Sequence, residues 1–148
     1  MAKNNKIGWK KGIYPSDTLI MSALENGELY TLTDNGAIAG CVILNSSCNE
    51  EYKNVCWKTN FSSNEILVLH ALAVAYKYQG SGSGKKLVSE IINFARLAGK
   101  KALRLDILAK NAAARRLYTG AGFCFVQAKD MFYEDTGTTK YELYELVL

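Results

Sequence analysis

Proline is nearly missing from this sequence, with one residue in 148, and histidine is represented by His70 alone. The four cysteines, Cys41, Cys48, Cys56 and Cys124, contain no C-x-x-C pair, so with a single histidine they offer no zinc ligand set, and no metal centre is expected. Long apolar runs are lacking too. The longest, residues 66–75, contains His70 and is far short of the ~20 residues that cross a bilayer. Residues 1–7 carry positive charge but no apolar stretch follows, so an export signal is not expected. The expectation is a cytoplasmic protein with reduced thiols and no membrane contact. Charge of one sign is also scarce: 18 Lys and Arg stand against 14 Asp and Glu, a net +4 spread along the whole chain. That is too diffuse for a nucleic-acid surface.

What is present is ordinary globular composition, 49% hydrophobic and 22% charged. A chain of this length buries about 70% of its unfolded surface and reads as one domain, residues 1–148. A helix is expected after Ser16, with Leu19, Ile20, Ala23 and Leu24 as its apolar stripe and Asn26-Gly27 as its stop. Residues 29–33 and 37–44 read as a hairpin around Asp34-Asn35-Gly36. Residues 45–64 read as polar surface loops with a short strand at 55–57.

From Glu65 the pattern sharpens. Alternation puts Ile66, Val68, Leu72 and Val74 on one face and Leu67, Leu69, Ala71 and Ala73 on the other, both apolar, as in a central strand. Residues 85–98 have helical spacing and stop at Gly99, and residues 102–108 form the next strand. This is a βαβ unit with parallel strands and, by rule, a right-handed crossover. Asn111 caps a further helix that closes at Gly120, and residues 123–131 and 140–148 are the last strands. The fold class is therefore α/β, a mixed sheet antiparallel at both ends and parallel in the middle.

Between the first parallel strand and its helix lies Gln79-Gly80-Ser81-Gly82-Ser83-Gly84-Lys85, with a glycine at every second position. Such a turn converges several backbone N–H groups at a helix N-terminus, which suits a phosphate. A P-loop ending at Gly84-Lys85 would need glycine at position 79 and Ser or Thr at 86, where Gln79 and Lys86 stand. The dinucleotide pattern fails as well, because Lys85 and Leu87 occupy its third-glycine positions.

The pattern Q-x-x-G-x-G does fit, over residues 79–84, directly after Leu72-Ala73-Val74. Beyond the helix come Leu103-Arg-Leu-Asp106, Asn111, Arg116-Leu-Tyr118 and Gly122-Phe123. In this order and spacing the chain resembles the GNAT superfamily of acetyl-coenzyme A dependent N-acetyltransferases from residue 65 to about 125. Trp9, Gly12, Pro15-Ser16 and residues 27–30 look like the helix and hairpin of one bacterial subgroup. Family members usually begin with a strand and a long helix that have no counterpart before Trp9. The resemblance thus implies either that the N-terminus lies further upstream or that the sheet lacks its usual first strand and covers the free edge in another way, such as a homodimer.

The resemblance implies acetyl-CoA as co-substrate and a small-molecule or peptide amine as acceptor. It places the pyrophosphate on Gln79, Gly80, Ser81, Gly82, Ser83, Gly84 and Lys85. The pantetheine arm would lie as an added strand along the main chain of Leu72, Ala73 and Val74, with the Leu72 amide facing the thioester oxygen. Asn111 would contact the coenzyme arm, although it also suffices as a helix cap. Tyr118 stands where the family's general acid stands and would protonate the departing thiolate. For the base, His70 and Glu65 are the candidates, with Glu51 beside them; a histidine on an apolar strand is equally readable as a core residue, and both glutamates as surface charges. A non-catalytic coenzyme A-binding module of the same fold is the competing reading, and an unrelated phosphate-binding protein the third.

Overall fold

Ser16 Oγ accepts the amide hydrogen of Leu19 at 3.1 Å and starts α1 (Asp17–Glu25). The structure is a computed structural model that describes residues 9–148. Only Ala23 of α1 is fully buried, and Leu24, expected in its apolar stripe, is exposed. The hairpin follows as β1 (Leu29–Asp34) and β2 (Ala37–Asn45), turning at Asn35 and Gly36, both with positive φ.

β3 (Ile66–Val74), α2 (Ser83–Leu97) and β4 (Ala102–Leu108) form the βαβ unit. α3 (Ala112–Gly120), β5 (Cys124–Tyr133) and β6 (Gly137–Val147) complete the domain. The six strands lie in the order β1-β2-β3-β4-β6-β5, and β3–β4 is the parallel pair. Among the described residues no helix is long and apolar enough to cross a membrane.

The sheet separates two apolar clusters. Leu67, Leu69, Leu103, Leu105 and Tyr144 meet Leu87, Val88, Ile91 and Ala95 of α2 on one face, and α3 adds Tyr118. On the other face Ile66, Val68, Leu143 and Met131 are covered by Tyr52 and Val55. The covering segment is not a plain surface loop. The strand expected at residues 55–57 is absent, and a short 3-10 helix, Glu50–Asn54, stands just before it and buries Tyr52. Arg104 ties the same segment down: its Nε donates to the cross-strand partner Glu145 at 2.7 Å, Nη2 donates to the Thr59 carbonyl at 3.0 Å, and Trp57 stacks 4.4 Å away.

One departure from regular alternation shapes everything downstream. Against β2, the step from Cys41 to Ile43 spans two residues while the facing step from Ala73 to His70 spans three. β3 therefore carries a bulge, and Ala71 within it has φ +50°. The extra residue reverses the parity of the strand, so Leu72 packs with Leu67 and Leu69 rather than with Ile66 and Val68 as alternation had it.

Candidate active site

β3 and β4 pair only through Ile66–Ala102, Leu67–Leu103 and Val68–Arg104. Beyond Val68 the two strands separate, while β3 stays paired to β2 as far as Val74, opposite Gly40. The β4-facing edge of residues 69–74 is thus a row of main-chain groups without a strand partner, which an extended ligand can join.

That edge leads to the glycine turn. Gly80 and Gly82 have φ of +77° and +86°, a conformation glycine adopts without steric cost. Gly82 is also the N-cap of α2 and supplies no side chain to its first turn. The first helical bond runs from Lys86 N to Gly82 O at 3.0 Å, so the amides of Ser83, Gly84 and Lys85 have no helical acceptor. Ser81 and Ser83 join hydroxyls at 2.9 Å on the same turn. The Gln79 side-chain amide donates to the Val74 carbonyl at 3.2 Å, bracing the turn against the end of β3. A pyrophosphate fits this cradle: converging free amides at a helix N-terminus beside Lys85 and Lys86.

At the other end of the gap is a cavity of about 120 Å³, lined among others by Leu69, His70, Leu72, Asp106, Asn111 and Tyr118. Tyr118 comes from α3 and rests edge-on against Phe123, their ring centroids 5.5 Å apart. Burial, and then the charge of Asp106, push its phenol well above the usual tyrosine range, so it is a proton donor at neutral pH. A bidentate ion pair from Arg115 to Glu142, both contacts at 2.9 Å, locks α3 to β6. Asn111 Oδ1 accepts the Ala114 amide at 3.1 Å and caps α3 while lining the cavity, so both readings of this residue are compatible.

The candidate bases separate. His70 lines the cavity, and its Nε2–H donates to Asn45 Oδ1 at 2.9 Å and to the Ser47 carbonyl at 2.8 Å. Burial lowers its pKa, so the ring is neutral at pH 7. Glu65 lies at the opposite end of β3, before Ile66, where it pairs with Lys101 and caps back onto Ser62. These bonds pull its carboxyl down to about 2, and it does not line the cavity. Glu51 pairs with Lys129 at 2.7 Å and is likewise outside it.

Asp106 was legible in the sequence only as part of a strand and of the family pattern, with no role of its own. In the structure it is the centre of the cavity's polar wall: Tyr52 and Tyr133 both donate to its Oδ2, at 2.6 and 2.7 Å. Burial raises its carboxyl, and the two phenols and His70 offset that only in part. The signal that could have found it is a carboxylate inside the run Leu103-Arg-Leu-Asp-Ile-Leu, since aspartate is rarely placed in a buried strand without a partner. Among the described residues no group of His, Cys, Asp and Glu is arranged to hold a metal ion.

A glycine turn with free amides, an open strand edge and a buried phenol thus lie in sequence along the gap between β3 and β4. The chain belongs to the Acetyltransferase (GNAT) family, whose model matches residues 6–123. It is 37% identical over 67 residues to an L-methionine sulfoximine/L-methionine sulfone acetyltransferase of Salmonella typhimurium, covering 45% of this chain and 39% of that one. It is 32% identical over 75 residues to the N-alpha-acetyltransferase RimI of Mycobacterium tuberculosis, covering 51% of this chain and 46% of that one. In both cases the match spans less than half of the relative.

Solved structures share the fold. An acetyltransferase of the GNAT family from Streptococcus agalactiae superposes with TM-score 0.78 at 16% identity, over 94% of this chain and 76% of that one. A GNAT family acetyltransferase from Elizabethkingia anophelis with acetyl-CoA bound gives 0.65 at 24% identity, over 92% and 86%.

Proposed function

We propose that this chain is an N-acetyltransferase that moves the acetyl group of acetyl-CoA to a primary amine, by direct attack while both substrates are bound. The observation that carries this reading is the unpaired edge of β3, which runs from the glycine turn to the cavity holding Tyr118. In this reading the turn from Gly80 through Gly82 to Lys85 holds the pyrophosphate through the amides of Ser83, Gly84 and Lys85, the Ser81 and Ser83 hydroxyls and the Lys85 ammonium, and Gln79 braces it. The main chain of Leu72, Ala73 and Val74 holds the pantetheine arm, and Asn111 meets the same arm from α3.

The carbon–nitrogen bond forms as the carbon–sulfur bond breaks. The Leu72 amide faces the carbonyl oxygen as charge builds there, and the Tyr118 hydroxyl gives its proton to the departing thiolate. Of the three bases named from the sequence, His70 lines the cavity and is kept in this role; it takes the amine proton directly or through water. The protein works without a metal, in the cytoplasm, with its four cysteines as thiols. It acts on a small-molecule or peptide amine rather than on nucleic acid or a membrane, and it pairs with a second copy as a homodimer.

The test is release of free coenzyme A thiol with a panel of amines, repeated on Tyr118→Phe. The substitution is expected to lower turnover roughly 100- to 10,000-fold while coenzyme A still binds. Binding of coenzyme A with no turnover on any amine would instead mark a coenzyme-binding module.

A further inference from the structure

The cavity beside Tyr118 is charged in one sense only. Asp106 and Asp135 both line it, and Asp135 is 3% exposed. Among the described residues no lysine or arginine lines it, and its histidine is held neutral by burial. Asp106 is set to receive a donor. Because Tyr52 and Tyr133 both give their hydrogens to Oδ2, Oδ1 keeps its lone pairs and has no partner among the described residues. Glu145 Oε1 is, among those residues, the one fully buried side-chain polar atom left unpaired; Asp106 Oδ1 is not of that kind, and its residue lines the cavity.

The remaining wall is aromatic. Trp9 meets Tyr14 edge-on at 5.9 Å between centroids, and Tyr133 meets Tyr141 at 4.9 Å, all four lining the cavity. Ring faces and carboxylates together favour a cation. Two carboxylates in a space of low dielectric oppose an anion at the same place, and nothing basic is on hand to receive one. A volume of about 120 Å³ admits the end of a narrow chain.

Resting on the acetyltransferase reading, we propose that the acceptor is an alkyl- or arylalkylamine with no carboxylate beside the amino group, whose ammonium end docks on Asp106 Oδ1 between the aromatic walls, and that α-amino acids are rejected. Asp106 is here a specificity residue. Its orientation is held by the two phenols, and its charge does the selecting.

Matched pairs differing only in the carboxylate test this: phenethylamine against L-phenylalanine, and isoamylamine against L-leucine. Binding to the coenzyme A complex is measured by calorimetry and turnover by thiol release. The amine of each pair is expected to be favoured roughly tenfold or more in binding, and in kcat/KM where turnover occurs. Asp106→Asn should bring the two members of each pair close to parity without changing coenzyme A affinity. Wild-type protein alone decides the matter if that variant does not fold. Equal or tighter binding of the amino acids overturns the proposal, as does failure of every member to bind. Turnover that prefers amino acids overturns it while the acetyltransferase reading stands; amine-selective binding without turnover does the reverse.

Discussion

Gly40 lies so close to Ala73 across the β2–β3 ladder that a methyl group on it would stand 2.9 Å from the Ala73 carbonyl oxygen. The same methyl would be 3.2 Å from Leu87 Cδ2 of α2, so it is caught between a backbone atom and a buried side chain. Glycine at this position is what lets β2 follow β3 past its bulge. Gly40→Ala is therefore expected to cost about 1 to 3 kcal/mol of stability, as overpacking does. By pushing on residues 73 and 74 it should also raise the KM for acetyl-CoA. Urea unfolding and steady-state kinetics check both; an unchanged midpoint together with an unchanged KM would falsify this account of the bulge.

The glycine turn makes a separate demand. Gly82 holds φ +86° at the head of α2 with no neighbour within 4 Å of where a Cβ would sit, so the obstacle to a side chain is the backbone conformation and not space. Gly82→Ala should lose about 1 kcal/mol and weaken coenzyme A binding, because the strained turn reorients the amides of Ser83 and Gly84. Thermal unfolding and titration with coenzyme A read the two effects. Undiminished coenzyme affinity in a destabilised variant would break the link between this turn and the ligand.

A third expectation concerns alkaline pH. Burial raises the phenols of Tyr14, Tyr52, Tyr118 and Tyr133, and pushes Tyr141 up to about 12. The unfolded chain releases these protons near pH 10 while the folded chain retains them, so above that pH the unfolded state binds fewer protons and stability falls as pH rises. Below about pH 10 the contribution is present in full. Tm followed from about pH 8 to about pH 11 should fall steeply only at the upper end, and phenol absorbance should show ionisation coinciding with unfolding. More than four of the nine phenols ionising in folded protein near pH 10 would contradict the burial of these five.

Much of the molecule could be read from the chain in order. The hairpin, the βαβ unit, the caps at Ser16 and Asn111 and the glycine turn follow from local spacing, and the structure has them. What escaped was what alternation and composition do not encode. Regular alternation put Leu72 on the face of Ile66 and Val68, and the bulge at Ala71 moved it to the other. A polar, irregular stretch concealed Tyr52, which the fold buries. His70 in β3 and Glu65 immediately before that strand looked equivalent as bases, yet one end of the strand meets the cavity and the other meets Lys101.

Local chemistry by itself determined the order of elements and the glycine turn, since glycine conformations, helix caps and apolar periodicity act over a few residues. The surroundings of Asp106 were decided by tertiary structure alone. Its two phenols come from positions 54 residues before it and 27 after it, and only the closing of the sheet and the docking of the 3-10 helix bring them within hydrogen-bond reach of one carboxylate oxygen.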